Sequence, residues 1–241
     1  MIDHLASLAS PLLAVAAAIL LNSTQLLIAL VTAGLSILGA YWLYLRKREH
    51  QLVLERYLDQ GIDQVIKSFQ KGMLIHDHNW MHARLVIQQH RLTQKVPDHD
   101  CLQGFKDVDL AAMSISPVYR VNRLLGTSIV WNLIQQQSGQ IFNGAFDLRF
   151  RVVHAFLDRT RSDHTPIAKD EYDHYNALIC QVRRKGDGFT KVIGVLTELT
   201  TIFEQESFAF KTLDRFKERG DVRAIVAQLT SLKKEIDVAL E

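Results

Sequence analysis

From Leu26 to Leu45 the chain runs for twenty residues without a charged side chain. That is the length a helix needs to cross about 30 Å of hydrocarbon at 1.5 Å per residue. Tyr41, Trp42 and Tyr44 cluster at its end, and Arg46, Lys47 and Arg48 follow at once. Amphipathic rings prefer the headgroup level and basic clusters stay on the cytoplasmic side, so the order predicts a membrane span with the C-terminal part of the chain in the cytoplasm, a bacterial-type inner membrane being the expected location. The 48% hydrophobic content of the 241 residues therefore averages two materials: residues 1–45 carry one charged side chain, Asp3, and the rest holds all 28 Lys and Arg.

A second apolar run, Leu5 to Leu21, is separated from the first by Asn22, Ser23, Thr24 and Gln25. A cleaved signal peptide is disfavoured, because Asp3 stands where a basic start is needed and another span follows immediately. Small residues recur at helical spacing in both runs: Ala6, Ser10, Ala14 and Ala18 in one, Ala29, Ala33, Ser36 and Ala40 in the other. Faces of that kind let helices pack closely in lipid. The expectation is a transmembrane hairpin of residues 5–21 and 26–45, the alternative being one span plus an interfacial helix. Neither run holds a charge that would mark a proton relay or ion-binding step, which argues against a carrier or pump. A pore would need a homo-oligomer lined by Ser7, Ser10, Thr32 or Ser36.

Residues 46–241 read as a cytoplasmic multi-helix bundle, making the whole chain all-α. Leu52, Leu54, Tyr57, Leu58, Ile62, Val65, Ile66, Phe69, Met73 and Leu74 recur mostly at spacings of three and four, the period of an amphipathic helix. That pattern continues toward Val96 and ends at Pro97, with Gly61 and Gly72 as candidate bends. A loop with a short helix near Val108 to Met113 follows, and Ser116 and Pro117 then read as N-cap and first turn. Further helices are expected through Val121 to Ile134, over Ile141 to Leu157 with Phe142, Ala145, Phe146, Val153 and Phe156 facing the core, and after Pro166. Gly186 and Gly188 bracket a turn, after which a long helix should run from Phe189 to Glu218 and a final one should start at Asp221. The β-branched stretch from Lys191 to Leu196 has no alternating partner run with which to form a sheet. Cys101 and Cys180 lie outside any Cys-x-x-Cys or zinc spacing, so they are expected as buried thiols in a reducing compartment.

Four groups of residues carry candidate chemistry. His78 and His82 share one helix face at i, i+4 and suit a metal as a pair, but no third ligand accompanies them. No cofactor is implied. Asp170, Glu171 and Asp173 read as an acidic helix start that complements the dipole. Asn122, Arg123, Trp131, Asn132 and the run Gln135 to Gln137 form a polar face suited to a partner, since Trp and Arg anchor interfaces. Arg149 and His154 are spaced Arg-x-x-x-x-His, which resembles the catalytic motif of the HEPN family of all-α ribonucleases, where such a pair polarises a phosphodiester. The resemblance spans six residues and departs from the family at Phe150, where a polar residue is usual. Similar spacings recur at Arg84 with His90 and Arg159 with His164.

With 28 basic against 26 acidic residues, nucleic acid is expected only through a partner or a local basic patch. The layout of two spans and a helical domain is similar to that of the membrane-disrupting effectors of bacterial antiviral systems, such as retron and cyclic-oligonucleotide types. It implies a sensing or docking domain with a cytoplasmic protein partner, and an oligomerising, permeabilising hairpin. The alternatives are a passive membrane anchor or scaffold for a soluble complex, and a membrane-tethered ribonuclease.

Overall fold

The computed structural model describes residues 2–108, 110, 113, 115–162, 166–205 and 213–238, with side chains from residue 23 onward except at 50, 213 and 214. Among these every regular element is helical. The chain divides into two units, Met1–Leu52 and Val53–Glu241.

The first unit is built from α1, Ile2–Tyr57, whose last residues belong to the other unit. It contains a helix long and apolar enough to cross a membrane, with a mean hydropathy of 2.0 over its most apolar window and 0% of that window buried. The backbone stays helical through Asn22, Ser23, Thr24 and Gln25, where the hairpin reading expects a tight turn. None of the four is a proline or glycine, so nothing in the local chain forces a break. Thr32 Oγ1 donates to the Ile28 carbonyl and Ser36 Oγ to the Thr32 carbonyl, each at 2.8 Å.

The larger unit is organised around α2, Asp63–Thr93, entered through a π-helical turn, Leu58–Ile62. Gly61 lies in that turn, where an added Cβ would meet the Arg120 Cβ at 3.5 Å. Gly72 makes no bend: it is a close-packing position at which a Cβ would lie 3.1 Å from the Phe189 ring. The helix stops at Gln94, in the left-handed region at φ 55°, whose N–H returns to the His90 carbonyl at 2.8 Å.

Around α2 stand α3 (Ile115–Leu125), α4 (Ile129–Phe146), α5 (Ala155–Ser162), α6 (Lys169–Arg184), α7 (Asp187–Gln205), α8 (Leu213–Lys217) and α9 (Gly220–Val238). A π-helical segment, Asp147–His154, joins α4 to α5. The expected continuous helix from Val121 to Ile134 is broken at Gly126, whose φ of 69° suits glycine. The two helices expected to meet between Ile134 and Ile141 are one there, since α4 runs unbroken from Ile129 to Phe146 through glutamines that are good helix formers. Ser116 lies inside α3, not at its cap, and Leu110 and Met113 are not helical. Lys191 to Leu196 is helical, within α7. The expected helix to Glu218 runs as α7 to Gln205, and residues 206–212 lie outside the described set. Cys101 is half-buried, whereas Cys180 is exposed, against the expectation of two buried thiols.

Two apolar clusters form the core. One joins the first half of α2 to α3, α4, α7 and α9 through Val65, Phe69, Leu133, Leu196 and Leu229; the other joins its second half to the π segment, α5 and α6 through Ile87, Leu148, Phe156 and Ile179. At about 25 cal/mol per Å² these burials dominate the unit's stability. Between them, in mid-α2, lie the buried polar side chains of His76 and Asn79.

Candidate functional site

Residues 76–82, the histidine cluster, hold a loop in place. Residues 95–108 link α2 to the rest of the chain with one short 3-10 turn, His99–Gly104, so most of their backbone groups need partners from elsewhere. Asn79, 1% exposed, donates from its amide to the Lys106 carbonyl at 2.7 Å and accepts from the Lys106 N–H at 2.8 Å. His78 Nε2 donates to the Gly104 carbonyl at 3.0 Å and His82 Nε2 to the Cys101 carbonyl at 2.6 Å, because a carbonyl oxygen only accepts. The two rings are parallel, with centroids 6.2 Å apart. Gly104 sits so tightly on the His82 ring that a Cβ there would collide with it. The Nε2 atoms of both rings thus face loop carbonyls, and among the described residues no group of three candidate ligands gathers.

His76 faces the other way. Its Nε2 lies 3.3 Å from the Arg183 carbonyl, and its ring packs on Gly144 and Gly186. Burial holds its pKa below 6.5 against the opposing pull of the Arg183 carbonyl and Asp77. Farther along α2, buried His90 is hydrogen-bonded through Nδ1 to the Tyr172 hydroxyl at 2.7 Å, and burial lowers its pKa too.

By holding Gly104 and Lys106, the α2 side chains position Phe105, Asp107 and Val108 as one wall of a cleft. The opposite wall is Phe142, Ala145, Phe146, Arg149 and Phe150, and the cavity between them measures about 190 Å³. Phe105 also packs edge-on against His82, with centroids 4.9 Å apart, so the histidine staple and the cleft are one construction. Phe142, Phe146 and Phe150 follow at i, i+4 and i+8 and line up along one helix face. They are exposed, Phe142 by 65%, although the sequence pattern assigns Phe142 and Phe146 to the core. The reason is local: the row Gln137, Ile141, Gly144 and Leu148 is the buried one, with a Cβ at Gly144 lying 3.1 Å from the Val182 side chain, and that register leaves the phenylalanines outside.

Arg149 lies in this cleft, its guanidinium 5.1 Å from the centroid of the Phe150 ring and its Nε buried without a protein acceptor. His154, on the next turn, is engaged separately: its Nδ1 lies 2.9 Å from Asp158 Oδ2, and its ring stands edge-on to His99. The Arg149 and His154 pair is therefore divided between an aromatic surface and a contact with Asp158.

The other candidates fall in structural positions. Glu171 binds Arg159 through both carboxylate oxygens at 3.1 and 3.2 Å, tying α6 to α5, while Asp170 and Asp173 are exposed near the start of α6. Asn132, Gln135 and Gln136 line an open polar groove between α4 and α9, where Gln136 bonds Asp237. Gln137 is buried, Trp131 packs on the core, and Arg123 is exposed beside half-buried Asn122. In the first unit Tyr41, Trp42, Tyr44, Arg46, Lys47 and Arg48 are all exposed, with the Arg46 guanidinium 5.2 Å from the Trp42 ring centroid. Ala33, Ser36 and Ala40 are exposed as well, and the side chains of Ser10, Ala14 and Ala18 lie outside the described set.

Sequence reasoning places Asn79 in the histidine cluster but misses its hold on the loop, and misses the exposure of the Phe142, Phe146 and Phe150 stripe. A signal existed for the first, since an asparagine among helix-forming residues favours bonds to backbone groups over continuing the helix. Comparison with protein-family models, curated proteins and solved structures found no match to this chain.

Proposed function

We propose that this chain is a membrane-anchored docking protein: its N-terminal segment holds it in the bilayer, and its helical unit, residues 53–241, binds a cytoplasmic protein. The single observation that carries the reading is the uncovered apolar helix, 0% buried over its most apolar stretch and followed by aromatic and basic residues. Exposing so much apolar surface to water is untenable, whereas in lipid it is the favourable state.

Stretched straight, the apolar residues from Leu5 to Leu45 extend roughly 60 Å. The hydrocarbon core is about 30 Å thick, so one bilayer cannot hold them end to end. The bilayer therefore favours a fold-back at the polar residues Asn22 to Gln25, bringing the two small-residue faces together. Neither apolar run carries a charged side chain to line a conducting path, which supports a passive anchor over a lined pore.

The test is fractionation of the full chain together with labelling of a cysteine placed by Thr24→Cys from outside the cell. Membrane-bound chain, external labelling and a protease-sensitive C-terminal tag on the cytoplasmic side are expected, with membrane potential unchanged on expression. Recovery in the soluble fraction would sink the anchor, and collapse of the potential would restore the permeabilising reading.

A further inference from the structure

Resting on the docking reading, we infer that the cleft between residues 105–108 and the Phe142, Phe146 and Phe150 stripe binds an acidic peptide segment, taking one bulky apolar side chain among the phenylalanines and an adjacent carboxylate on Arg149. The cavity, about 190 Å³, lies below the range of roughly 300–1,000 Å³ usual for cofactor and small-molecule sites. It suits a single anchoring side chain instead.

The charge specifies the rest. Asp147 is taken by Arg151 at 3.3 Å and by Lys185 at 3.7 Å, while Arg149 makes no ion pair among the described residues. Its Nε is shielded from water and donates to nothing. With Nε enclosed, the guanidinium laid over the ring has its terminal N–H groups to offer, and a carboxylate is the partner that meets them with charge-assisted bonds. One such arginine does not suit nucleic acid, whose backbone needs several cations in a row, nor an anionic lipid surface, which needs a polybasic cluster. Asp107, on the opposite wall, sets polarity: the carboxylate belongs on the Arg149 side and the apolar residue between.

The experiment uses the full chain in phosphatidylcholine nanodiscs and two fluorescein-labelled hexapeptides, Asp-Glu-Leu-Phe-Asp-Glu and its counterpart Asn-Gln-Leu-Phe-Asn-Gln, read by anisotropy. The acidic peptide is expected to bind roughly tenfold tighter, the scale of one charge-assisted contact. Arg149→Gln should erase that preference, and Asp107→Asn should strengthen acidic binding. Phe142→Ser, at a position 65% exposed, should weaken both peptides without touching the fold. Equal affinity for the two peptides, binding of neither, or a preference that survives Arg149→Gln overturns the inference. So does displacement of the acidic peptide by phosphatidylserine nanodiscs, which would name a lipid headgroup as the occupant. A partner retained on the detergent-extracted chain in native mass analysis, and not released by Phe142→Ser, would leave the docking reading standing while this site falls.

Discussion

Residues 76–82 and residues 142–150 exchange the roles their composition suggests. The histidine segment, with its aspartate and asparagine, has the composition of a reactive site, yet the Nε2 atoms of His78 and His82 and both ends of the Asn79 amide are taken up by backbone groups of the chain itself. The phenylalanine segment has the composition of core, yet three of its rings stand at the surface around an arginine without an ion-pair partner. The difference teaches that a polar side chain becomes available for chemistry only after the nearby backbone is satisfied. Likewise, an apolar one becomes core only when the helix register places it there.

The contrast breaks most visibly within the aromatic residues. Phe156, fully buried in the apolar cluster around the second half of α2, should lose about 3–5 kcal/mol on Phe156→Ala, the usual range for deleting a buried aromatic ring. At roughly 2–4 °C per kcal/mol for a unit of this size, the melting midpoint of the full chain in detergent, followed by circular dichroism, should fall by about 6–20 °C. A shift under about two degrees would mean that this cluster does not hold the unit together. Next comes Asn79→Ala, which strands the N–H and the carbonyl of Lys106; two unmet groups would cost up to about 6 kcal/mol if fully buried, and because Lys106 is exposed and water reaches the loop the expected loss is about 2–4 kcal/mol. Because Lys106 stands between Phe105 and Asp107, the same variant should weaken both hexapeptides. Unchanged peptide binding would separate the staple from the cleft.

The helical class and the apolar N-terminal run are legible in the sequence because both depend on periodicity and length, which side-chain order alone encodes. The breaks are less legible. Gly126 reads as one more helical residue, since only its positive φ distinguishes it, and Gln135 to Gln137 reads as a face because glutamine does not announce whether it is buried. The cleft is invisible for a different reason: its walls come from residues 105–108 and 142–150, and what they share is α2, which packs against α4 and the π segment and holds Lys106 through Asn79. Long-range contacts of that kind leave no periodic trace.

A weaker effect sharpens the comparison through pH. His76 and His90 both have folded-state pKa values lowered by burial from 6.5. The unfolded chain therefore binds more protons than the folded one as pH falls below that value, and stability declines with it. The contribution is complete above pH 6.5 and is lost as pH drops toward the lowered folded values. Melting in detergent at pH 7.5 and 5.5 should show a lower midpoint at the acidic end, and His90→Gln, which removes one of the two sites, should reduce the difference. An equal or higher midpoint at pH 5.5 would mean that neither ring is held neutral by the fold.

The smallest expected change in stability is the most discriminating. Phe142→Ser removes a ring from a side chain that is 65% exposed, so the bundle should shift by no more than about 0.5 kcal/mol, as ordinary surface positions do. A residue required for packing would cost several times that, and the contrast with Phe156 would vanish. If the midpoint holds while peptide binding weakens, Phe142 acts on what the cleft receives, not on what the chain packs. The register of α4 would then be the feature that converts a core-like sequence into a docking surface. A large loss of stability would instead return Phe142 to the core face that its spacing suggests.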